Sequence, residues 1–455
     1  MTNVKNNLKY LYLVISIFLY GFIAFGLQRS NFTLLVISFA VLFFCYYKLV
    51  LDYKENFKLL VFSTIACRII FGWVLPNLSQ DFYRFIWDGR LIFQGLKPYE
   101  CLPKNLILNS NFHLNQAKEL FAGMGNLSAN HFSNYPPINQ LCFAFAAIFS
   151  SNSIFGSVVI FRILIILADL GTMFFGRKLL KNLELEQSQI FWYLLNPLVV
   201  LELTGNLHFE GIMLFFFVFS MYLLQQKYLK MAAFVLAISI SVKLLPVLLL
   251  PILYNYLGFK KSIVFYLIII SSTILFFIPF LTNELFQNYS ETIGLWFTNF
   301  EFNASIYYII RWIGFQIYGY NMIHTVGKII PITVILFILY KSFFSKNKTE
   351  IDLFNSFLIV LSFYFFMSTT VHPWYVVNLV FISVFTKFKF PFYWSFVIIL
   401  SYFAYSNIKF QENLYLIFIE YLIVYLFFFY GLRKRYLNLK LLESKKLSNF
   451  ELNDS

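Results

Sequence analysis

Apolar stretches of about 15–22 residues recur along the 455-residue chain, separated by short polar connections; a helix needs that length to cross the hydrocarbon core of a bilayer. They fall near 10–27, 32–50, 57–75, 154–176, 188–203, 211–225, 262–281, 323–342, 352–369, 374–387, 391–406 and 413–431. The stretch 231–254 is one apolar run broken by Pro246 and Pro251, and two brief apolar pieces cover 138–150 and 305–318. No internal repeat is evident. The pattern predicts an all-α polytopic integral membrane protein with about 12–14 transmembrane helices.

Composition narrows the function classes. Hydrophobic residues make up 60% of the chain, charged residues 12% and aromatics 22%. Soluble domains hold roughly twice that charge, so a soluble enzyme, a disordered chain and a nucleic-acid-binding domain are all excluded. The formal charge of +14 comes from basic residues at the ends of apolar runs, around 177–181, 226–230, 260–261, 341–348, 387–389 and 433–440. Such clusters mark cytoplasmic loops. With the N-terminus inside and the first apolar run retained, the polar stretch 76–137 faces outward. The piece 138–150 then dips into or lies along the outer leaflet, 231–254 is a hairpin of two short pieces that turns near Lys243, and 305–318 stays on the outer side. Residues 1–431 are expected to form one transmembrane domain and 432–455 a basic cytoplasmic tail. Cys45, Cys67, Cys101 and Cys142 have neither CxxC nor metal spacing.

Polar islands interrupt this apolar background. The outer loop opens with Asp81-Phe82-Tyr83-Arg84-Phe85-Ile86-Trp87-Asp88-Gly89-Arg90. As a helix, it sets Asp81, Arg84 and Asp88 on one face and Tyr83, Trp87, Arg90 and Gln94 on another. That describes an amphipathic helix at the headgroup level, or a self-satisfied surface ladder of Asp, Arg and Asp. Three further islands lie downstream. They are Asn196-Pro197 with Thr204 to Gly211, Glu301 to Tyr308, and Thr370 to Tyr375. The charge-derived orientation puts them on the same outer side as Asp81. Ionisable groups at such places mark functional sites. Lys243 and Arg162 each require an anion, either an internal partner such as Asp169 for Arg162, or a lipid phosphate.

Asp81 to Arg90 with Pro98-Tyr99, Tyr135-Pro136-Pro137, Asn206-Leu207-His208-Phe209-Glu210-Gly211, Lys243-Leu244-Leu245-Pro246 and His372-Pro373-Trp374-Tyr375 together resemble the GT-C glycosyltransferases. The resemblance is to the bacterial polyprenyl-phosphate-mannose-dependent mannosyltransferases of the glycosyltransferase 87 group and to eukaryotic GPI mannosyltransferase I. It implies a GT-C-type fold in which a hexose, mannose above all, passes from a polyprenyl-phosphate carrier to a hydroxyl of a glycan or lipid-linked acceptor. The reaction would take place at the outer face of a bacterial inner membrane, without nucleotide or nucleic acid. It also implies that Asp81 is the general base. Departure of the phosphate calls for cations or donors, for which Arg84, Arg90, Arg162, Lys243 and His372 are candidates. Asp88, Tyr135, Asn206, His208, Glu210, Asn303 and Tyr375 complete the expected donor-binding set. One carboxylate with direct attack predicts inversion at the sugar carbon. The loop has no Asp-x-Asp, no cofactor is expected, and a divalent metal stays open. A flippase for lipid-linked sugars, or a polymerase or ligase of lipid-linked oligosaccharides, is the alternative.

Overall fold

The computed structural model describes residues 2–345, 347–407 and 409–453. Among the described residues the chain is helical throughout, with one isolated β-bridge between Phe302 and Thr370. Seven helices are long and apolar enough to cross a membrane: Leu8–Phe25, Phe32–Asp52, Ile154–Asn182, Phe259–Phe280, Ile323–Phe344, Glu350–Met367 and Leu414–Leu437. An eighth span arises if Pro197–Gly205 and Glu210–Gln225, bent by 112° at their junction, count as one. Other apolar runs form shorter helices, among them Phe57–Ile69, Pro137–Ser150, Leu229–Val242, Leu245–Leu257, Ile306–Tyr318, Pro373–Ser383 and Phe390–Ser406. Phe18, Phe44, Leu167, Leu267, Leu336 and Phe418 all lie exposed on the long helices, a surface that lipid tolerates and water does not. The protein is a multi-pass, all-α membrane protein. The helix that begins at Leu414 runs to Asn453, and the last two residues of the expected tail lie outside the described residues.

Two ion pairs organise the bundle around the first loop. Arg68 donates from Nε to Asp169 at 2.6 Å, with both side chains 1% exposed, and from Nη1 to the carbonyl of Thr64. The pair ties the Phe57–Ile69 helix to Ile154–Asn182. It also replaces the expected partnership of Arg162 with Asp169. Those two residues lie seven positions apart on one helix, about 10 Å along its axis, whereas Arg68 approaches Asp169 from the side. Arg162 donates instead to three backbone carbonyls, of Thr204 at 3.1 Å, Gly205 at 3.4 Å and Val74.

The first-loop helix, Asp81–Phe93, is where expected in the sequence but is not spread on a membrane surface. Phe82 and every residue from Arg84 to Leu91 are buried. The helices Ala117–Ala129 and Pro137–Ser150 pack against it, and Phe85 stacks on Phe143 at 4.7 Å. Its polar stripe can be covered because it is neutralised internally. Arg84 donates to Asp88 at 2.7 Å, and Asp88 also accepts from Ser133 at 2.6 Å and Gln140 at 3.2 Å. Gly89 permits the close approach: a Cβ there would stand 2.2 Å from the carbonyl oxygen of Phe143. No rotamer change can move a backbone oxygen, so Gly89→Ala should cost at least the ~1–3 kcal/mol of core overpacking. Thermal unfolding in detergent should show a clear drop for Gly89→Ala and none for Gly72→Ala, whose Cβ meets nothing within 4 Å.

Candidate active site

Asp81 stands at the N-terminus of the first-loop helix, where the helix dipole favours an anion. The segment before it is held by Asn77, whose amide donates to the carbonyls of Ile23 at 2.6 Å and Leu27 at 2.9 Å. The Asp81 backbone N–H is taken by Ser79 Oγ at 3.3 Å. Its carboxylate has no hydrogen-bond donor among the described residues, and the side chain remains partly exposed. Burial pushes its pKa above the usual carboxylate range; the charges of Lys243 and Arg29 pull against that shift, and Glu210 adds to it.

Lys243 reaches this carboxylate's surroundings because the chain breaks there. Pro246 has no N–H to give the carbonyl of Val242, so the Leu229–Val242 helix ends and Lys243 is extended, with φ −147° and ψ 139°. Its ammonium lies 3.1 Å from Glu210 and 5.3 Å over the ring of Tyr135.

The bend between Pro197–Gly205 and Glu210–Gln225 supplies the floor. A π-helical turn at Val200–Gly205 runs into Leu207, whose φ of +65° is a strained value for a residue with a Cβ. Beneath the turn, Glu202 accepts from Tyr402 at 2.6 Å and Asn206 at 2.9 Å, and His208 Nε2 lies 3.5 Å from it. His208 stacks on Trp374 at 3.8 Å, and His372 stacks on the same indole at 4.3 Å. His372 precedes Pro373, the first residue of its helix, a position that suits proline. The bridge from Phe302 to the 369–371 strip places the Phe302 ring 4.9 Å from His372. Glu202, Asn206, His208 and Glu210 are fully buried, whereas Asp81, Tyr135, Lys243, His372 and Tyr375 keep partial exposure. The result is a part-open cluster over a closed polar floor.

Five candidates fall elsewhere. Arg84 and Asp88 bond each other and the 128–133 segment, through Ser128, His131 and Ser133. Arg90 donates to the carbonyl of Asn115 and, at 3.2 Å, to Gln116. These three hold the outer part of the loop to the first-loop helix. Arg162 is engaged by carbonyls, and Asn303 donates to Glu420 at 3.0 Å while its N–H goes to Glu412 at 2.6 Å. Two residues absent from the sequence reading belong to the cluster: Glu202 in the floor and Arg29 at its edge. Both carried a signal. Glu202 is an acid inside an apolar run, and Arg29 is a base in a short loop whose expected side disfavours bases. Among the described residues, no group of three or more His, Cys, Asp or Glu side chains is arranged to hold a metal ion.

The family model described as "Alpha-(1->6)-mannopyranosyltransferase, N-terminal domain" (MptA_B family) matches residues 20–257. The chain belongs to this family. The matched region carries Asp81, Tyr135, Glu202, His208, Glu210 and Lys243, so most of the cluster lies inside the shared part; His372 and Tyr375 lie beyond it. The chain is also similar to alpha-(1->6)-mannopyranosyltransferase B of Corynebacterium glutamicum, 28% identical over 162 residues. That stretch is 34% of this chain and 26% of the relative, so the chain spans about a quarter of the relative's length.

The two loop aspartates make opposite predictions for stability. Asp88→Asn leaves the Arg84 guanidinium buried without its counter-charge, which should cost about 3–5 kcal/mol. Asp81→Asn removes a desolvated charge that no hydrogen bond supports, and should leave the melting temperature unchanged or slightly raised. Thermal unfolding of both purified variants measures the difference.

Proposed function

We propose that this protein is a membrane mannosyltransferase that takes its sugar from a polyprenyl-phosphate carrier and works at the outer face of a bacterial inner membrane. The acceptor is a hydroxyl of a glycan or lipid-linked glycan. The observation that carries this reading is the part-exposed Asp81 carboxylate, without a hydrogen-bond donor among the described residues and within reach of the charges of Lys243, Arg29 and Glu210.

In this reading the acceptor oxygen attacks the anomeric carbon and its proton passes to Asp81. The bond from that carbon to the phosphate oxygen breaks, and the phosphate leaves with the electron pair, its charge facing Lys243. Glu210 fixes the lysine in place. A phosphate leaves without a partner acid, so one carboxylate suffices and the sugar carbon inverts. The family's name specifies an α-(1→6) product; inversion then requires a β-linked donor. The basic clusters at the ends of the apolar runs support an orientation with the Asp81 end of the bundle outside.

Asp81→Asn keeps size and polarity but cannot accept the proton. Transfer from labelled polyprenyl-phosphate-mannose should fall roughly 10²–10⁴-fold, with donor binding retained; near-normal turnover would remove Asp81 from the chemistry. The pH profile carries a second signature. The base works only when deprotonated and its pKa is raised by burial, so activity should start to fall on acidification at a higher pH than an ordinary carboxylate would give.

The orientation has its own test. A cysteine at the exposed Asn111, in a variant lacking the four native cysteines, should react with an impermeant thiol reagent added to intact cells after the outer membrane is opened. Reaction only after lysis would place the loop inside.

A further inference from the structure

The cations near the first loop are almost all committed. Arg68 holds Asp169, Arg84 holds Asp88, Arg162 donates to three carbonyls, and Lys243 pairs with Glu210. Arg29, in the loop between the first two spans, is different. It has no carboxylate within ion-pair distance among the described residues, and its Nε is buried without a hydrogen-bond partner. What it touches is Tyr405, with the guanidinium carbon 3.3 Å from the ring centroid. The aromatic ring orients the guanidinium plane and supplies no counter-charge of its own.

Its place in the site is fixed from two directions. Asn77 bonds the carbonyls of Ile23 and Leu27, so the segment leading to Asp81 also holds the loop that presents Arg29. From the other side, Tyr405 adjoins Phe302 at 5.9 Å, and Phe302 stacks on His372. The charge of Arg29 is felt at Asp81, His208 and His372, the same groups that feel Lys243. A guanidinium without a direct ion-pair partner, its Nε buried and unpaired, at the edge of a low-dielectric cluster is a site for an oxyanion, and a phosphate matches its planar fork.

We infer that Arg29 takes the phosphate of the lipid-linked donor, leaving Lys243, already paired with Glu210, as the second cation of the site. This rests on the donor class proposed above. A phosphate in the site could belong to a polyprenyl carrier or to an ordinary bilayer lipid, and the test separates them. The full chain in phosphatidylcholine nanodiscs is titrated with polyprenyl monophosphate, with uncharged polyprenol and with phosphatidylglycerol.

For the unaltered protein, polyprenyl phosphate should bind at least about tenfold tighter than polyprenol. Arg29→Gln should erase most of that preference without weakening polyprenol binding, and Arg29→Lys should keep part of it. If the unaltered protein does not distinguish the phosphate from polyprenol, the donor reading itself fails. If it does and Arg29→Gln retains the full preference, the donor reading stands and the assignment of Arg29 is overturned. Equal weakening of phosphate and polyprenol binding in Arg29→Gln would mark a structural role. Competition by phosphatidylglycerol as strong as by polyprenyl phosphate would mark a general headgroup contact. Either result overturns the inference.

Discussion

A charge held away from water needs a partner, and that constraint arranges this bundle. Arg68 and Asp169 join two helices from segments a hundred residues apart in sequence. Arg84 and Asp88 allow a charged helix to be packed on nearly every side. Arg162 satisfies its guanidinium on carbonyls that the 200–205 turn and the segment at Val74 leave available. Against this background, among the described residues, the Asp81 carboxylate has no hydrogen-bond donor and Arg29 has neither a carboxylate within ion-pair distance nor a partner for its Nε. Both keep partial exposure in the same cluster. The site is therefore the place where the rule of internal pairing stops.

The backbone obeys a related constraint. Freed N–H and C=O groups are tolerated within a membrane only where protein or a wet cavity covers them. The breaks here are concentrated around Asp81: the bend at 206–209, the interruption at Lys243 before Pro246, and the turn into Pro373. Each break delivers polar side chains to the cluster: Asn206 and His208 at the bend, Lys243 at its interruption, and His372 before Pro373. The buried network of Glu202, Asn206, Tyr402 and His208 occupies the polar space that the bend opens. Chain breaks and the clustered polar side chains thus share one cause.

Much of this was legible in the sequence. Apolar run lengths gave the class of fold, and the polar islands at 206–210, 243 and 372–375 were recognisable as interruptions that a lipid-facing helix would not keep. Loop charge put the islands at 196–211, 301–308 and 370–375 on the same expected side as Asp81. What the sequence could not supply was the identity of partners. Spacing along one helix offered Arg162 for Asp169, whereas the true partner lies on another helix. Periodicity assigned faces to the Asp81–Phe93 helix but could not tell that 117–129 and 137–150 would cover them. Asn303 stood in a promising island, yet a lone acid in the last span, Glu420, draws it away from the cluster. Arg29 carried only the signal of a base on a side that disfavours bases; that no carboxylate stands within ion-pair distance of it is visible only in three dimensions.

A direct displacement at the sugar carbon beside a single carboxylate leaves its mark in the stereochemistry of the product. Purified protein would be given the α and β anomers of polyprenyl-phosphate-mannose separately, and the anomeric configuration of the new glycosidic bond read by NMR. The account predicts that the β anomer alone is consumed and that the product is α-linked. Consumption of the α anomer with retention of configuration would require a second nucleophile in the site and would contradict the account.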